Sequence, residues 1–435
     1  MNRRNQLLTG AGFVIFFTLF YFSEIQLFKI HGCTDGSCVP AVSIDSIMTG
    51  EDRAQYVKTL YSEFTLSLDI LRKDADSAVN NSQVYSVTLK KQHTPSNDPH
   101  DYLSLAKYFW PDPNTATGLP YIRKDGKVNP AIKEVKDFEY LRNMFADVYT
   151  LSLAYRFYRN EIYSQKAILR LNEWFVNPET KMNPHIQYGS MIKGELMGRQ
   201  TGVLDFFHVY RIIDAMEVLR ESSHWSVPLE NSLNEWFTLY YHWLQQDPLS
   251  KGERSALNNH GTFYDCQLMS VALILKNFTA VREIAESSRL NRIEAQIADD
   301  GSQPFETERQ TSFYYSVFNL RGLFLLSSLS ERVGVDIWNY QGKNGRSIKK
   351  AVDYILPYAL DHGNGWPYHN IGNYDVLEFS SILELAYLRY GDAKYIDGVR
   401  IITDRLVKEK GYLPNRRSQM LCNLALVLKN KSWLC

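Results

Sequence analysis

Two glycine-punctuated stretches bring chemically capable side chains together. Asn258-Asn259-His260-Gly261-Thr262-Phe263-Tyr264-Asp265 offers an amide beside an imidazole. Asp300-Gly301-Ser302-Gln303-Pro304-Phe305-Glu306-Thr307-Glu308-Arg309, continuing through Tyr314-Tyr315-Ser316, adds a guanidinium and a phenol. These groups suit removal of a weakly acidic proton next to a carboxylate. Arg309 and Asn259 would bind and neutralise the carboxylate, and His260 or Tyr315 would take the proton. A tyrosine can also return a proton to a leaving oxygen. Each residue has a plain structural reading as well. Asn258 or Asn259 can cap a helix that begins at Gly261, Arg309 can pair with Glu306 or Glu308, and Tyr315 can belong to a buried aromatic face. Tyr314 and Tyr315 point in different directions on a helix, so one of them reaches a cleft.

The elements that must position these groups are helical. Tyr140, Met144, Val148, Leu151 and Tyr155 recur at spacings of three and four, the period of one helix face. Comparable patterns cover 163–175, 201–220, 229–245, 262–289, 311–333, 347–360, 376–390, 395–408 and 417–429. Pro, Gly and Asn punctuate the loops between them, and strand-like alternation is scarce. So many helices on such connections predict antiparallel helix pairs rather than a parallel sheet. The stretch 80–135 is the long non-periodic segment of the body. Its aromatic content predicts a packed loop that partly covers the cleft.

Several words of this sequence resemble those of the alginate lyase family of polysaccharide lyases. They are Asn258-Asn259-His260-Gly261, Asp300-Gly301-Ser302-Gln303-Pro304 with Glu308-Arg309, and Tyr315-Ser316. Upstream, His100-Asp101-Tyr102-Leu103-Ser104-Leu105, Tyr108-Phe109-Trp110-Pro111-Asp112-Pro113 and Gly118-Leu119-Pro120-Tyr121 follow the family's N-terminal words. Where many members carry His before the tyrosine, this chain has Tyr314. The resemblance implies an all-α fold, an incomplete α/α toroid, and β-elimination on a 4-O-linked uronic acid polymer. It implies Asn259, His260, Arg309 and Tyr315 as the catalytic set. Arg199, within Gly198-Arg199-Gln200-Thr201-Gly202, and Tyr264 are candidates for substrate contact. Tyr108, Trp110 and Tyr121 offer rings for sugar stacking or for core packing. An acidic polysaccharide is the expected partner; no cofactor and no metal ligand set is implied.

Two rivals remain open from sequence. One is a glycoside hydrolase on a helical toroid, with Glu306 or Glu308 as acid and Asp265 or Asp300 opposite. The other is a membrane-anchored glycan-binding protein without turnover.

Composition bears on the compartment. The 435 residues carry 48 basic and 48 acidic side chains, so no global field points to nucleic acid. Arg3 and Arg4 precede an uncharged run from Asn5 to Ser23, close to the roughly 20 residues that span a bilayer. Residues 1–23 therefore read as an uncleaved signal anchor or a signal peptide, 24–55 as a stem, and 56–435 as the helical body. Positive charge on the N-terminal side predicts a luminal or extracellular body. Acceptor patterns for N-glycosylation begin at Asn80, Asn277 and Asn430. Cys33 with Cys38 and Cys422 with Cys435 could form disulfides, while Cys266 reads as a buried free thiol.

Overall fold

The computed structural model describes residues 68–410. The membrane-type segment, the stem, the sequon at Asn430, the helix expected at 417–429 and the four other cysteines lie outside the described residues. Among the described residues no helix is long and apolar enough to cross a membrane.

Helix α1 covers 68–80. Four short strands follow within the body: β1 (Leu103–Leu105), β2 (Phe109–Trp110), β3 (Ile122–Arg123) and β4 (Tyr188–Met191). The remaining architecture is helical. In chain order it comprises α2 (Asp137–Tyr158), α3 (Glu161–Leu171), α4 (Tyr210–Leu219), α5 (Val227–Gln246), α6 (Pro248–Arg254) and α7 (Asn259–Ile274). Then come α8 (Phe278–Ser288), α9 (Pro304–Thr307), α10 (Ser312–Glu331), α11 (Ile348–Leu360), α12 (Val376–Tyr390) and α13 (Ala393–Lys410). A 3-10 segment, Gln200–Val209, runs directly into α4.

The helices pack as a connected series. Helix α2 lies against α3 and α4, α4 against α7, α7 against α8 and α10, and α10 against α11 and α12, which carries α13. Helix α7 occupies the middle: every residue from Gly261 to Ile274 is buried. Helices buried on all sides belong to the centre of a core rather than its rim. One continuous apolar cluster reaches from Leu71 to Leu406, thickened by Phe175, Phe206, Trp236, Phe237 and Tyr240 in mutual ring contact.

The expected single helix over 262–289 is two. Lys276 adopts a left-handed conformation (φ 58°), and Asn277 N–H donates to the carbonyl of Ala272 at 2.8 Å, closing α7 with a Schellman-type turn. Asn277 then caps α8 by accepting from Ala280 N–H. A lysine fills a role usually held by glycine, which is why sequence gave no stop signal.

The long segment after α1 is a packed strap. Strand β1 pairs in parallel with β4, while β2 and β3 form an antiparallel hairpin. Asp205 receives the hydroxyls of Tyr102 (2.9 Å) and Ser104 (2.5 Å), and the Asp137 carboxylate receives Leu103 N–H at 3.0 Å. The 3-10 segment presses on β4 so closely that a Cβ at Gly202 would lie 2.3 Å from the Gly189 carbonyl carbon. These anchors fix the root of the strap, and its tip meets the N-terminal end of α10, with Tyr108 at Tyr315 and Asp125 at Arg309 just before the helix.

Candidate active site

Asn258 caps α7 with its side chain, accepting from His260 N–H at 3.1 Å. The capping reading and the chemical reading therefore coexist, because the cap places Asn259 and His260 in the first helical turn. A second support comes from Arg292. Its guanidinium reaches Asp265 (2.7 Å) and the carbonyls of Ala256 (3.0 Å) and Arg254 (2.9 Å), clamping the turn before α7. Any side chain at Gly261 would collide with this clamp, its Cβ falling 2.1 Å from the Ala256 carbonyl oxygen.

The second motif is held by a buried amide relay. Gln303 donates to the carbonyl of Ser316 (2.9 Å), and Asn319 donates to both Gln303 (2.8 Å) and Gln296 (2.9 Å). Gln296 in turn receives the Thr262 hydroxyl of α7 and donates to the carbonyl of Asn258. The Gln303 word therefore couples α7 to α10 and sets the distance between the two motifs.

Tyr315 lies on the buried side of α10, only 4 % exposed, and Tyr314 is 37 % exposed and stacks on Phe318. The Tyr315 hydroxyl meets the Tyr108 hydroxyl from the strap at 2.8 Å. The Arg309 guanidinium sits 3.8 Å from the centre of the Tyr315 ring. Burial, then the neighbouring Tyr108, push the Tyr315 phenol well above its ordinary value, while Arg309 acts in the opposite sense. The phenol is thus held protonated.

Arg309 does not pair with Glu306 or Glu308. Its fork grips Asp125 at the strap tip, with Nη2 at 3.0 Å and Nε at 3.3 Å. Asp125 was not singled out in the sequence, where it is one of many turn aspartates. Asn259 also differs from expectation. Its side-chain amide donates to both Glu306 oxygens (3.0 and 2.8 Å), and its backbone N–H reaches the same carboxylate at 2.5 Å. The amide donors therefore face Glu306, leaving Oδ1 buried without a partner. Burial raises Glu306 to about 7, against the lowering pull of Asn259. His260 points its Nδ1 at Glu253, 2.5 Å away.

The remaining candidates separate into three groups. Tyr264 is a core residue: it is 1 % exposed and its hydroxyl donates to the carbonyl of Leu244 at 2.7 Å. It lies one turn below His260, under the end of α5, so it has no surface left for substrate. Arg199 stands at the start of the 3-10 segment with its guanidinium 4.8 Å above the Phe109 ring of the strap. Burial lowers its pKa, and Arg123, Glu195 and Glu253 are its charged neighbours. Tyr108 joins the Tyr315 cluster directly. Trp110 and Tyr121 stay on the strap, Trp110 donating to the carbonyl of Lys127 and Tyr121 lying under the Lys193 ammonium. Cys266 is a buried free thiol, as expected, with its Sγ against the carbonyl of Gly322.

A helical body that sets a protonated phenol against a guanidinium belongs with enzymes that move protons next to anionic groups. Comparison with known proteins makes the class specific. The alginate lyase family profile matches residues 86–366. The crystal structure of an alginate lyase from Bacteroides ovatus shares 34 % identity at a TM-score of 0.77, over 86 % of this chain and 97 % of that one. A histidine-to-alanine variant of alginate lyase A1-III, complexed with a tetrasaccharide, shares 15 % identity at a TM-score of 0.50, over 75 % and 88 % of the two chains. Alginate lyase A1-III from Sphingomonas species A1 shares 15 % identity at a TM-score of 0.49, over 76 % and 92 %. No curated protein matches. The chain belongs to the alginate lyase family and is a polysaccharide lyase.

Proposed function

We propose that this lyase cleaves a 4-O-linked polyuronide of the alginate kind by β-elimination, on an incomplete α/α toroid with the cleft at the N-terminal ends of α7 and α10. The observation that carries the reading is the Tyr315 hydroxyl, kept protonated by burial, with Arg309 on its ring and Tyr108 at its oxygen. A phenol in that state is an acid first. The C5 proton of a uronate is weakly acidic because the adjacent carboxylate is ionised. In the proposed reaction Arg309 exchanges Asp125 for the substrate carboxylate and stabilises the enolate-like state. His260 takes the C5 proton, the C5–H electron pair becomes the C4–C5 double bond, and the C4–O4 bond breaks. Tyr315 delivers its proton to the departing O4. One such stabilising donor is worth about 10²–10³ in rate, so loss of either Arg309 or Tyr315 should be felt separately.

The carboxylates disfavour the hydrolase. Glu306 is engaged threefold by Asn259, Glu308 is exposed, Asp265 is bound by Arg292, and Asp300 accepts from Ser302 N–H. Incubating the detergent-solubilised chain with a panel of polyuronides, and following the ultraviolet band of the unsaturated product, tests the reading. New reducing ends without that band would establish the hydrolase, and binding without any product the non-catalytic glycan binder.

The same proposal extends to the ends of the chain. Residues 1–23 anchor or export the protein, 24–55 form a stem, and the body lies outside the cytosol. The exposure of Asn80 and Asn277 supports it, since both sequons are open to glycosylation.

A further inference from the structure

Glu253 is a carboxylate in an expensive position. It lies on α6, seven residues before His260, and is 1 % exposed. One oxygen meets His260 Nδ1 at 2.5 Å; the other, Oε2, is buried with no partner. Burying an ionisable group with half its acceptor capacity unused costs stability, which an apolar residue at that point would avoid. The surroundings nevertheless hold it in register. Asp247 caps α6 through Leu249 N–H, Ser250 ties α6 to the carbonyl of Leu244, and Arg292 clamps the turn that separates Glu253 from His260. His260 keeps 17 % side-chain exposure, and with Nδ1 committed, Nε2 is the nitrogen available to the cleft.

We propose that Glu253 is a positioning residue for the elimination: it accepts the His260 Nδ1–H, fixes the tautomer with its lone pair on Nε2, and stabilises the imidazolium formed when Nε2 takes the C5 proton. This rests on the lyase reading. The proton balance is simple: the C5 proton ends on His260 Nε2, and none crosses to Glu253. A carboxylate on the far nitrogen of a histidine orients the ring and raises its basicity. Other charges face the pair from each packed element. Arg199 and Asp205 of the 3-10 region act on Glu253, Glu306 of α9 acts on His260, and Arg254 and Lys251 share α6. Glu306 titrates near 7. A pH–rate profile therefore has to be joined to a direct reading of the histidine.

The test compares the full-length wild type with Glu253→Gln and Glu253→Asp, using the most rapidly cleaved polyuronide. Nitrogen NMR of labelled histidine follows His260, assigned by loss of its signal in His260→Asn. Glu253→Gln can still accept Nδ1–H but lacks the charge. The expected results are a kcat loss of about 10²-fold, a KM within a few-fold, and a His260 titration displaced to lower pH. Glu253→Asp, which keeps the charge, should recover part of kcat and return the titration toward wild type. Unchanged His260 titration with kcat within a few-fold would overturn the proposal. So would equal losses in Gln and Asp variants with an unchanged titration, because that pattern belongs to a packing role. A wild type without lyase product would instead defeat the functional reading, while the NMR comparison would still report on the Glu253–His260 pair.

Discussion

At the scale of single residues, Tyr315→Phe separates packing from chemistry by deleting one oxygen. Its hydroxyl meets the Tyr108 hydroxyl at 2.8 Å, so the loss of stability should be about 1 kcal/mol. Turnover should fall by about 10²-fold or more. Tyr314→Phe, on the exposed side of the same turn, should remain within a few-fold of wild type. Steady-state rates and thermal unfolding of both variants check this, and a collapse in the Tyr314 variant alone would reverse the assignment. Arg309→Lys keeps the charge but loses both the two-donor fork on Asp125 and the flat face on the Tyr315 ring. Its activity should drop at least about tenfold with a preserved melting temperature, and full activity would remove Arg309 from the mechanism. Much of this site was legible, because Asn259, His260, Arg309 and Tyr315 sit in two contiguous words. Their partners were not. Asp125, Glu253 and the orienting use of Glu306 arise from contacts across the fold or across a turn, and no local spacing announces them. Tyr264 misled for the opposite reason: it stands beside the motif but one turn too deep.

At the scale of elements, the strap is rooted by buried carboxylates. Asp137 is fully buried, with Lys90 at 3.3 Å and Leu103 N–H at 3.0 Å, and burial outweighs Lys90 to raise it to about 7. Asp205 is raised by burial to about 6, against its two hydroxyl donors. Both values exceed those of an unfolded aspartate, about 3.9. Their stabilising contribution is therefore complete below that pH and is lost as pH rises through 6 to 7. Melting temperature should decline from about pH 4 to pH 7 on this account, and Asp137→Asn, which retains an acceptor for Leu103, should flatten the slope. Parallel slopes in variant and wild type would exclude Asp137 as a source. Periodicity located the helices well because each buries an apolar stripe. It merged α7 with α8 because the left-handed stop falls on Lys276, and it left the strap without order because short strands pinned by side chains carry no period.

At the scale of the molecule, one apolar cluster from Leu71 to Leu406 makes the described body a single folding unit, so its compartment applies to all of it. If Arg3 and Arg4 orient the chain as proposed, Asn80 and Asn277 should carry glycans in a eukaryotic host. Glycosidase treatment should then increase gel mobility, and unmodified sequons in a protease-protected cytosolic body would sink the orientation.

The Arg309–Asp125 pair has a consequence in the language of ion exchange. With side chains only 15 % and 20 % exposed, Asp125 is a resident counter-ion, and an incoming uronate swaps one anion for another. A bare cationic receptor would gain affinity steeply as salt is lowered, because mobile ions compete for it; a receptor that brings its own competitor would not. The KM of the wild type should vary weakly with ionic strength and that of Asp125→Ala more steeply. Identical salt slopes would mean that Asp125 never leaves.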